Sequence, residues 1–251
     1  MKDRNLLAEF RYELKPVDKG YNRRTLYVNV GSNQIESKPV SQQMIDKFVG
    51  GKGFDLWLMW HGVKDNTKWN DPENEICIGF GPLCGNTSYP GSGKSIVTTI
   101  SPLTGIPVDC NVGGHFGPYA KFSGWDAIEI QGKANEEVIV FIDGDKGSVK
   151  ILTAPDEDTN SHVLAEELIK EFADSPDAHQ FVSVVSSGRG AEHVPISCLN
   201  FSFWDKRRQV ARLKQAGRGG TGMVFRDKNI KALVVKYSGL KGDTNNPEDL
   251  E

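Results

Sequence analysis

The spacing of apolar and polar residues predicts a chain with more strands than helices. Alternation predicts a half-buried strand over residues 24–30 and a second strand near Ile35, joined by a hairpin turn. Other short runs rich in β-branched residues also predict strands, and they cover 75–80, 126–131, 138–143, 148–153, 181–185, 195–203 and 232–237. We therefore expect a sheet-rich α+β fold with few helices.

Three stretches show helical spacing instead. Ser41 caps the first helix, which ends at a glycine pair, and Ser161 opens the last, which runs to about residue 175. The middle helix carries Trp57 and Trp60. Because aromatic side chains dominate cores and interfaces, we interpret these two as core or subunit-interface residues.

The two ends of the chain differ from its middle. Residues 1–23 carry mixed charge with little periodicity, and we interpret them as an extended arm, with solvated disorder as the alternative. Residues 238–251 form a polar tail. No repeat or linker divides 24–237, which we expect to be one domain.

Composition places the chain among ordinary globular proteins. Its 251 residues are 38% hydrophobic and 25% charged, enough for a sizeable core. The net charge of −3 gives no overall attraction to nucleic acid or to an anionic membrane, so a polyanion site must be local. No apolar run reaches the roughly 18 residues that span a bilayer, and no signal peptide is visible. We therefore expect a cytoplasmic protein without nucleic-acid or membrane partners.

The cysteines suggest neither a disulfide framework nor a metal site. The four of them, Cys77, Cys84, Cys110 and Cys198, form no C-x-x-C pair. Buried, inert thiols are the default in such apolar surroundings. Cys84, in a glycine-rich turn, is the one candidate for reactivity.

A glycine-rich stretch, 81–117, is the most informative part of the sequence. Its turns allow backbone to approach a ligand closely, and successive free N–H groups in such turns form concave anion sites. Lys94, Ser95 and Asn111 add side-chain donors there. The alternative is that these turns only join strands.

Part of this stretch resembles the phosphate loop G-x-x-x-x-G-K-[ST]. Residues 88–95 end in Gly93-Lys94-Ser95, but Ser88 stands where the first glycine belongs. The residues after Ser95 are β-branched and end at a proline, whereas a phosphate loop opens a helix. A nucleotide triphosphatase is therefore disfavoured.

A basic cluster lies near the C-terminal end, where residues 205–231 hold nine cations against two acidic residues. The cations are Lys206, Arg207, Arg208, Arg212, Lys214, Arg218, Arg226, Lys228 and Lys231. A solvated face or a nucleic-acid patch would explain the charge alone. A second glycine-rich turn around Arg218 repeats the chemistry of the first, which suits a ligand with several phosphates.

Several short motifs stand in fixed order along the chain. They are Gly81-Pro82-Leu83, Ser101-Pro102-Leu103-Thr104-Gly105, Asn111-x-Gly113-Gly114-x-Phe116-Gly117, Lys121-Phe122-x-Gly124-Trp125-Asp126-Ala127-Ile128, Gly132-Lys133-Ala134, Ala216-Gly217-Arg218-Gly219-Gly220-x-Gly222 and Lys228-Asn229-x-Lys231-Ala232. In this order and spacing, over about residues 24–237, they resemble the N-terminal domain of the aldehyde:ferredoxin oxidoreductase family.

This resemblance implies two β-sheets that form a base for a tungsten- or molybdenum-bound bis-pterin cofactor, whose phosphates a magnesium ion bridges. The cofactor-binding residues expected from the motifs and their context are Lys94, Ser95, Asn111, Gly113, Gly114, Lys214, Gln215, Arg218 and Gly219. The backbone carbonyls of Asn111 and Gln215 are the implied magnesium ligands. Lys94 replaces the family's usual arginine, which keeps the charge but loses the bidentate fork.

The resemblance also implies parts that this sequence lacks. The family's [4Fe-4S] cluster needs four cysteines, three of them close together, whereas the cysteines here lie 7, 26 and 88 positions apart. We therefore expect the cluster on a partner chain or on missing domains, together with the substrate pocket and the catalytic residues. The chain is interpreted as a fragment or as the small subunit of a split enzyme.

The implied reaction is oxidation of an aldehyde to a carboxylic acid, with electrons passing through the cluster to ferredoxin. One alternative is a subunit of a ring-reducing enzyme like class II benzoyl-CoA reductase. Another is a non-catalytic module that binds pterin or a polyanion.

Overall fold

The structure, a computed structural model, describes residues 4–86, 88, 91–154 and 160–239. The strands in these ranges are β1 (Leu6–Arg11), β2 (Arg24–Asn29), β3 (Gln34–Pro39), β4 (Ile76–Phe80), β5 (Ser95–Ile100), β6 (Pro107–Val112), β7 (Ala127–Gln131), β8 (Val138–Asp143), β9 (Ser148–Thr153), β10 (Val182–Ser186), β11 (Leu199–Asp205), β12 (Val210–Ala216) and β13 (Ile230–Lys236). The helices are α1 (Gln42–Phe48), α2 (Lys52–Gly62), α3 (Phe116–Phe122), α4 (Ser161–Phe172) and α5 (Thr221–Asp227), with 3-10 helices at Pro176–Phe181 and Arg189–His193. Within the described ranges, no helix is long and apolar enough to cross a membrane.

The strands form two sheets. One has six strands in the order β3-β2-β7-β4-β5-β6, and the other has seven in the order β1-β9-β8-β13-β10-β11-β12. Both are mixed, because β2 runs parallel to β7 and β8 runs parallel to β13, whereas the other neighbours are antiparallel. The predicted α+β fold on two sheets with few helices is confirmed.

Helices and sheets alternate in layers around one main core. That core lies between the sheets and includes side chains of both sheets and of α3 and α5, among them Ile78, Val97, Phe116, Val140, Phe201 and Phe225. A second cluster packs α4 on the outer face of the seven-stranded sheet. A third packs α1 and α2 on the outer face of the six-stranded sheet.

Among the strands and α-helices, five were not predicted from the sequence: β1, β6, β12, α3 and α5. β1 lies in the proposed N-terminal arm and pairs antiparallel with β9, so this part of the arm packs on the seven-stranded sheet. All three strands end a sheet, where solvent and charge replace clean apolar alternation. The two helices have seven residues each, too few to show a helical period.

Two predicted boundaries are wrong, and some predictions fall outside the described residues. α4 begins at Ser161, as predicted, and the Asn160 side chain caps it by accepting from the backbone N–H groups of His162 and Val163, but the helix ends at Phe172 and not near residue 175. β11 begins at Leu199, since residues 194–197 form a turn instead. Residues 1–3 of the proposed arm and 240–251 of the proposed tail are not among those described, and the predicted domain division stays a prediction.

Trp60 does not lie in the core. α2 presents Phe54 and Leu58 to the sheet, and Trp60 lies on another side of the helix with 82% of its surface exposed. Trp57 is partly exposed and contacts the rings of Phe48 and His61. The core interpretation is therefore wrong for Trp60, and its role in a subunit interface stays a prediction.

The free edges of the two sheets meet where β12 lies beside β6. The turn after β12 packs there, and a Cβ built on Gly219 would collide with the side chain of Val108. A Cβ built on Gly220 would collide with the Pro195 carbonyl and the Pro102 ring. Both glycines have positive φ, 72° and 71°, which other residues rarely adopt. Only residues without a side chain therefore fit at positions 219 and 220.

A buried ion pair joins α3 to the start of β7. Lys121 Nζ and Asp126 Oδ1 are 2.5 Å apart, and the two side chains are 1% and 0% exposed. Asp126 also accepts from the backbone N–H groups of Asn22 and Arg23. One carboxylate thus fixes the chain before β2 beside β7, which gives the Lys121 to Ile128 motif a structural reason.

Carboxyl groups are also buried between α2 and the six-stranded sheet. Asp55 Oδ2 accepts from the Thr98 hydroxyl at 2.9 Å, whereas Asp55 Oδ1 and Glu75 Oε1 have no hydrogen-bond partner in the described part of the chain. Burial and the nearby Glu129 carboxylate raise the pKa of Glu75 to about 8, although Lys38 and Lys228 oppose the shift. Burial also raises the pKa of Asp55 well above its ordinary value.

Replacing Lys121 by methionine should lower the free energy of unfolding by about 3–5 kcal/mol, because Asp126 would stay buried without its counterion. Lys133→Met is the matched control. Lys133 also pairs with an aspartate, Asp227, at 2.9 Å, but its side chain is 43% exposed, so its loss should cost about 1 kcal/mol or less. Urea unfolding measures both, and equal losses would contradict the role assigned to burial.

Glu75 should make the fold less stable as the pH rises. Its folded pKa is above its unfolded value, so its stabilising contribution is complete below about pH 4.5 and is lost as the pH rises through about 8. In that window Glu75→Gln should make the fall in unfolding free energy less steep by up to about 1.4 kcal/mol per pH unit. The Glu75→Gln variant should still lose some stability as the pH rises, because the raised pKa of Asp55 has the same effect. Urea unfolding between about pH 5 and pH 8 tests this, and parallel curves would show that Glu75 does not titrate as described.

Candidate functional site

A cavity at the edge of β6 brings together two residues that the sequence analysis selected. It has a volume of about 550 Å³ and is lined by Asp109, Cys110 and Asn111 of β6 and by Gly217 and Arg218 of the turn after β12. Asn111 and Arg218 are far apart in the sequence, and both are exposed. The meeting of the two sheet edges places them around one space.

A second cavity, of about 390 Å³, holds Lys94. Its walls are mostly glycine backbone and small apolar groups, namely Val49, Gly50, Gly51, Gly79, Gly81, Pro82, Leu83, Cys84, Gly91, Ser92 and Ile96. Gly50 and Gly51 have positive φ, 146° and 56°, and lead into α2. The cavity is therefore a mainly apolar cleft with one cation.

The backbone of Gly93 and Gly114 and the aliphatic part of Lys214 lie close together beside these cavities. A Cβ built on Gly93 would lie 3.0 Å from the Gly114 carbonyl oxygen, and one built on Gly114 would lie 3.9 Å from Lys214 Cγ. A Cβ on Gly113 would meet no atom within 4 Å. Lys214 Nζ lies 5.8 Å from the centre of the Phe203 ring. Gly93, Gly114 and the Lys214 stem thus adjoin one another, and we treat them together with the two cavities as one surface.

Three other predicted residues are placed differently. Ser95 is 1% exposed, and strand alternation turns its side chain away from that of Lys94. Gln215 follows Lys214 on β12, so their side chains point to opposite faces of the strand. Gly219 packs on β6. Of these three, none lines either of the two cavities.

The polar side chains of this surface are free to bind a ligand. Lys94, Asn111 and Arg218 form no side-chain hydrogen bond or ion pair with any residue among those described. Charge-assisted bonds from such donors favour anions, above all those with several oxygens. The arrangement therefore suits a ligand with phosphate groups.

Sequence reasoning missed two charged residues here. Lys52 Nζ lies 2.5 Å from Asp109 Oδ1, which ties the start of α2 to β6 and offsets the carboxylate in the cavity wall. An ion pair between distant segments leaves no sequence signal. Lys52 alone could have been selected from the sequence, because a glycine pair followed by a lysine at the start of a helix resembles an anion-binding turn.

The structure agrees with the rejection of a phosphate loop, because the residues from Ser95 onward form β5 and not a helix. Tyr89 and Pro90 of that sequence lie outside the described residues. The proposed reactivity of Cys84 is wrong. The residue is 6% exposed, and burial raises the pKa of its thiol to about 12. No group of three or more His, Cys, Asp or Glu side chains that could hold a metal ion occurs in the described part of the chain.

Comparison with known proteins identifies the family. The family model for the aldehyde ferredoxin oxidoreductase N-terminal domain matches residues 25–237. The chain belongs to this family. Its relatives include the tungsten-containing aldehyde ferredoxin oxidoreductases of Pyrococcus horikoshii, 32% identical over 86% of the chain, and of Pyrococcus abyssi, 33% identical over 86%. The chain spans about a third of their length, 33% in both cases.

Two other similarities extend beyond aldehyde oxidoreductases. An aliphatic sulfonate oxidoreductase WOR-like subunit of Pyrococcus furiosus is 26% identical over 87% of the chain, which covers 35% of that protein. The active-site complex BamBC of benzoyl coenzyme A reductase with 1,5-dienoyl-CoA has a chain of similar structure, with a TM-score of 0.73 and 27% identity over 86% of this chain and 31% of that one. The aldehyde ferredoxin oxidoreductase N-terminal fold is thus shared by oxidoreductases of different substrates.

The tungsten in these relatives raises the question of whether this surface fits a tungsten-pterin cofactor. The free cations Lys94 and Arg218, each next to a strand, and the Asn111 amide on β6 fit its phosphates, and the open space at Gly113 leaves room beside the backbone. A pterin supplies its own sulfur ligands, so the protein needs no metal-ligating cluster of its own. The residues present therefore fit the phosphate-bearing part of the group.

Proposed function

We propose that this chain forms the base on which a tungsten or molybdenum bis-pterin cofactor binds in an oxidoreductase of this family. The observation that carries the proposal is the meeting of Asn111 and Arg218 around one cavity. Two glycine-rich stretches supply them from the free edges of separate sheets, and Lys94 and Lys214 lie beside the same surface.

In this proposal the chain binds and orients the cofactor. Lys94, Lys214 and Arg218 donate to its phosphates, and the backbone of Gly113 and Gly114 allows close approach. Gly219 is proposed to act by packing on Val108, which holds the neighbouring Arg218 at the cavity. The carbonyls of Asn111 and Gln215 are proposed ligands of a bridging magnesium ion. Ser95, a buried residue at the start of β5, is proposed to act only by helping that strand to position Lys94. No residue of this chain is assigned a catalytic role.

The proposed reaction converts an aldehyde and water to a carboxylic acid, with release of two electrons and two protons. The bound group supplies the two-electron redox centre. A partner chain or further domains would carry the substrate pocket and a [4Fe-4S] cluster, from which ferredoxin takes the electrons. The relatives' length, about three times that of the matched part, supports such a further component.

A second candidate is a ring-reducing enzyme, which the similarity to the benzoyl coenzyme A reductase complex favours. Assaying the assembled complex with aldehydes and with aryl-CoA thioesters separates the two. A third, a module that binds pterin or a polyanion without catalysis, predicts a complex that contains neither tungsten nor molybdenum. Metal analysis of the purified complex distinguishes it.

Replacing Lys94 or Arg218 by alanine in the assembled complex should lower its content of pterin and metal. A charge-assisted bond contributes about 1.5–3 kcal/mol, so the affinity for the cofactor should fall by about tenfold or more. Because neither residue takes part in the chemistry, turnover per bound metal atom should stay near that of the wild type. Metal analysis and activity of the same sample measure both.

Lys64→Ala is the matched control for these variants. Lys64 is an exposed cation in the loop after α2 and lines neither cavity, so its loss should change neither quantity. If the Lys94 or Arg218 variant instead keeps its full metal content while turnover per metal falls by orders of magnitude, that residue acts on the transition state and the proposed role is wrong.

A further inference from the structure

The hairpin of β11 and β12 concentrates positive charge in a chain that is otherwise acidic. From Asp205 to Arg218 the sequence has six cations and one carboxylate, whereas the whole chain has a net charge of −3. We call this segment, residues 205–218, the basic hairpin. All six cations are exposed, so the charge faces solvent at the edge of the seven-stranded sheet.

The structure separates the basic hairpin from the rest of the predicted basic cluster. Arg226 bonds to Glu192 and also pairs with Glu137, and Lys231 pairs with Glu137 as well. Lys228 is 2% exposed and donates to backbone carbonyls. These three cations form bonds within the fold, whereas the six cations of the basic hairpin are exposed to solvent.

The tip of the hairpin is ordered by its own carboxylate. Asp205 accepts from the backbone N–H of Arg208 at 3.1 Å and from its guanidinium at 2.9 Å, and Arg212 reaches the same carboxylate at 3.4 Å. The side chains of Lys206 and Arg207 have no partner among the residues that the structure describes. The hairpin therefore presents its charge on a fixed scaffold.

Protection of a free edge explains only part of this charge. Lysine and arginine on an edge strand prevent pairing with another sheet, which accounts for Arg212 and Lys214 on β12. Lys206 and Arg207 lie in the turn beyond the last pair of the ladder, Asp205 with Val210. No unpaired edge exists there to protect, so these two cations need another explanation.

An apolar patch lies at the other end of the basic hairpin. The turns that carry Pro102 and Pro195 both touch Gly220, and four large apolar side chains of these turns are exposed. They are Leu103 at 55%, Ile106 at 61%, Val194 at 41% and Ile196 at 61%. We call them the Gly220 patch. Apolar groups beside a charged rim are typical of a protein interface.

Nucleic acid is a poorer match for this surface than protein. Single strands bind where bases stack on exposed aromatic rings, but the hairpin offers none. Trp204 is 5% exposed, and Phe203 is half-buried beside His115, with ring centres 5.6 Å apart. The Gly220 patch would also stay uncovered on a polyanion.

We infer that the basic hairpin, through the cations that the proposed function does not assign to the cofactor, and the Gly220 patch together dock the chain that completes the enzyme, and that this chain presents an acidic strip to the hairpin. The inference rests on the proposed function, since it assumes a second component that covers the cofactor. Opposite charge would steer the two components to one orientation. Burial of the Gly220 patch would supply the apolar surface whose removal from water stabilises the complex.

The test compares charge reversal on the hairpin with the same reversal elsewhere. One variant of the purified complex carries Lys206→Glu and Arg207→Glu, and the control carries Lys64→Glu and Lys68→Glu, two exposed cations of the loop after α2. Mass photometry after dilution gives the dissociation constant at about 50 mM and about 500 mM salt, where charges are weakly and strongly screened.

The hairpin variant should raise the dissociation constant at low salt by about tenfold or more, and the increase should shrink at high salt, whereas the control should match the wild type. Ile106→Ser with Ile196→Ser should weaken the complex at both salt concentrations. Equal effects of hairpin and control variants in a complex that still contains metal would overturn this inference and leave the proposed function intact. A chain that forms no complex at all would overturn this inference and the assignment of the substrate pocket and cluster to a partner chain.

Tight binding of a single-stranded DNA oligonucleotide, lost in the hairpin variant, with no change in complex stability, would show that the hairpin is a nucleic-acid site instead. A poly-L-glutamate probe should compete with the completing chain for the wild type and not for the hairpin variant. Failure of poly-L-glutamate to compete would contradict the acidic character assigned to the partner.

Discussion

The close approach of Gly219 and Gly220 to the neighbouring sheet is the constraint on which the candidate site depends. Any side chain at Gly219 would collide with Val108, and the positive φ of both glycines excludes most substitutions. Because the turn lies flat against β6, Arg218 comes to the cavity that also holds Asn111. Without this contact the two sheets would still have a core, but the residues proposed to bind the cofactor would not share a surface.

Free sheet edges are usually covered or protected by charge, since their unpaired backbone groups can pair with other chains. In this protein β6 and β12 bring two such edges together and leave a polar surface between them. Lys94, Asn111 and Arg218 have no hydrogen-bond or ion-pair partner among the described residues. Because all three are exposed, water solvates them and they are available to a ligand. Elsewhere in the six-stranded sheet the buried Lys121–Asp126 pair joins α3 to the start of β7, and Asp55 of α2 accepts from Thr98 of β5, the strand beside β6.

The sequence predicts the interior of this fold better than its edges. Strands such as β4 and β8, buried along their whole length, have unbroken apolar runs that any pattern analysis finds. β6 and β12 carry charge and mostly exposed positions, so they were missed. At the site, the motifs led to Asn111 and Arg218, which the structure brings together. Asp109 and Lys52 were missed because their pairing depends on tertiary contact, and Ser95 was selected although strand alternation turns it inward.

The central claim is that the phosphates of a pterin cofactor lie between the edges of β6 and β12. Electron cryo-microscopy of the assembled, metal-containing complex tests it most directly. The account predicts phosphate density within about 3 Å of the Arg218 guanidinium, beside Asn111, in the cavity between the two strands. Phosphate density bound elsewhere, with Arg218 directed to solvent or to a carboxylate of the partner, would contradict it.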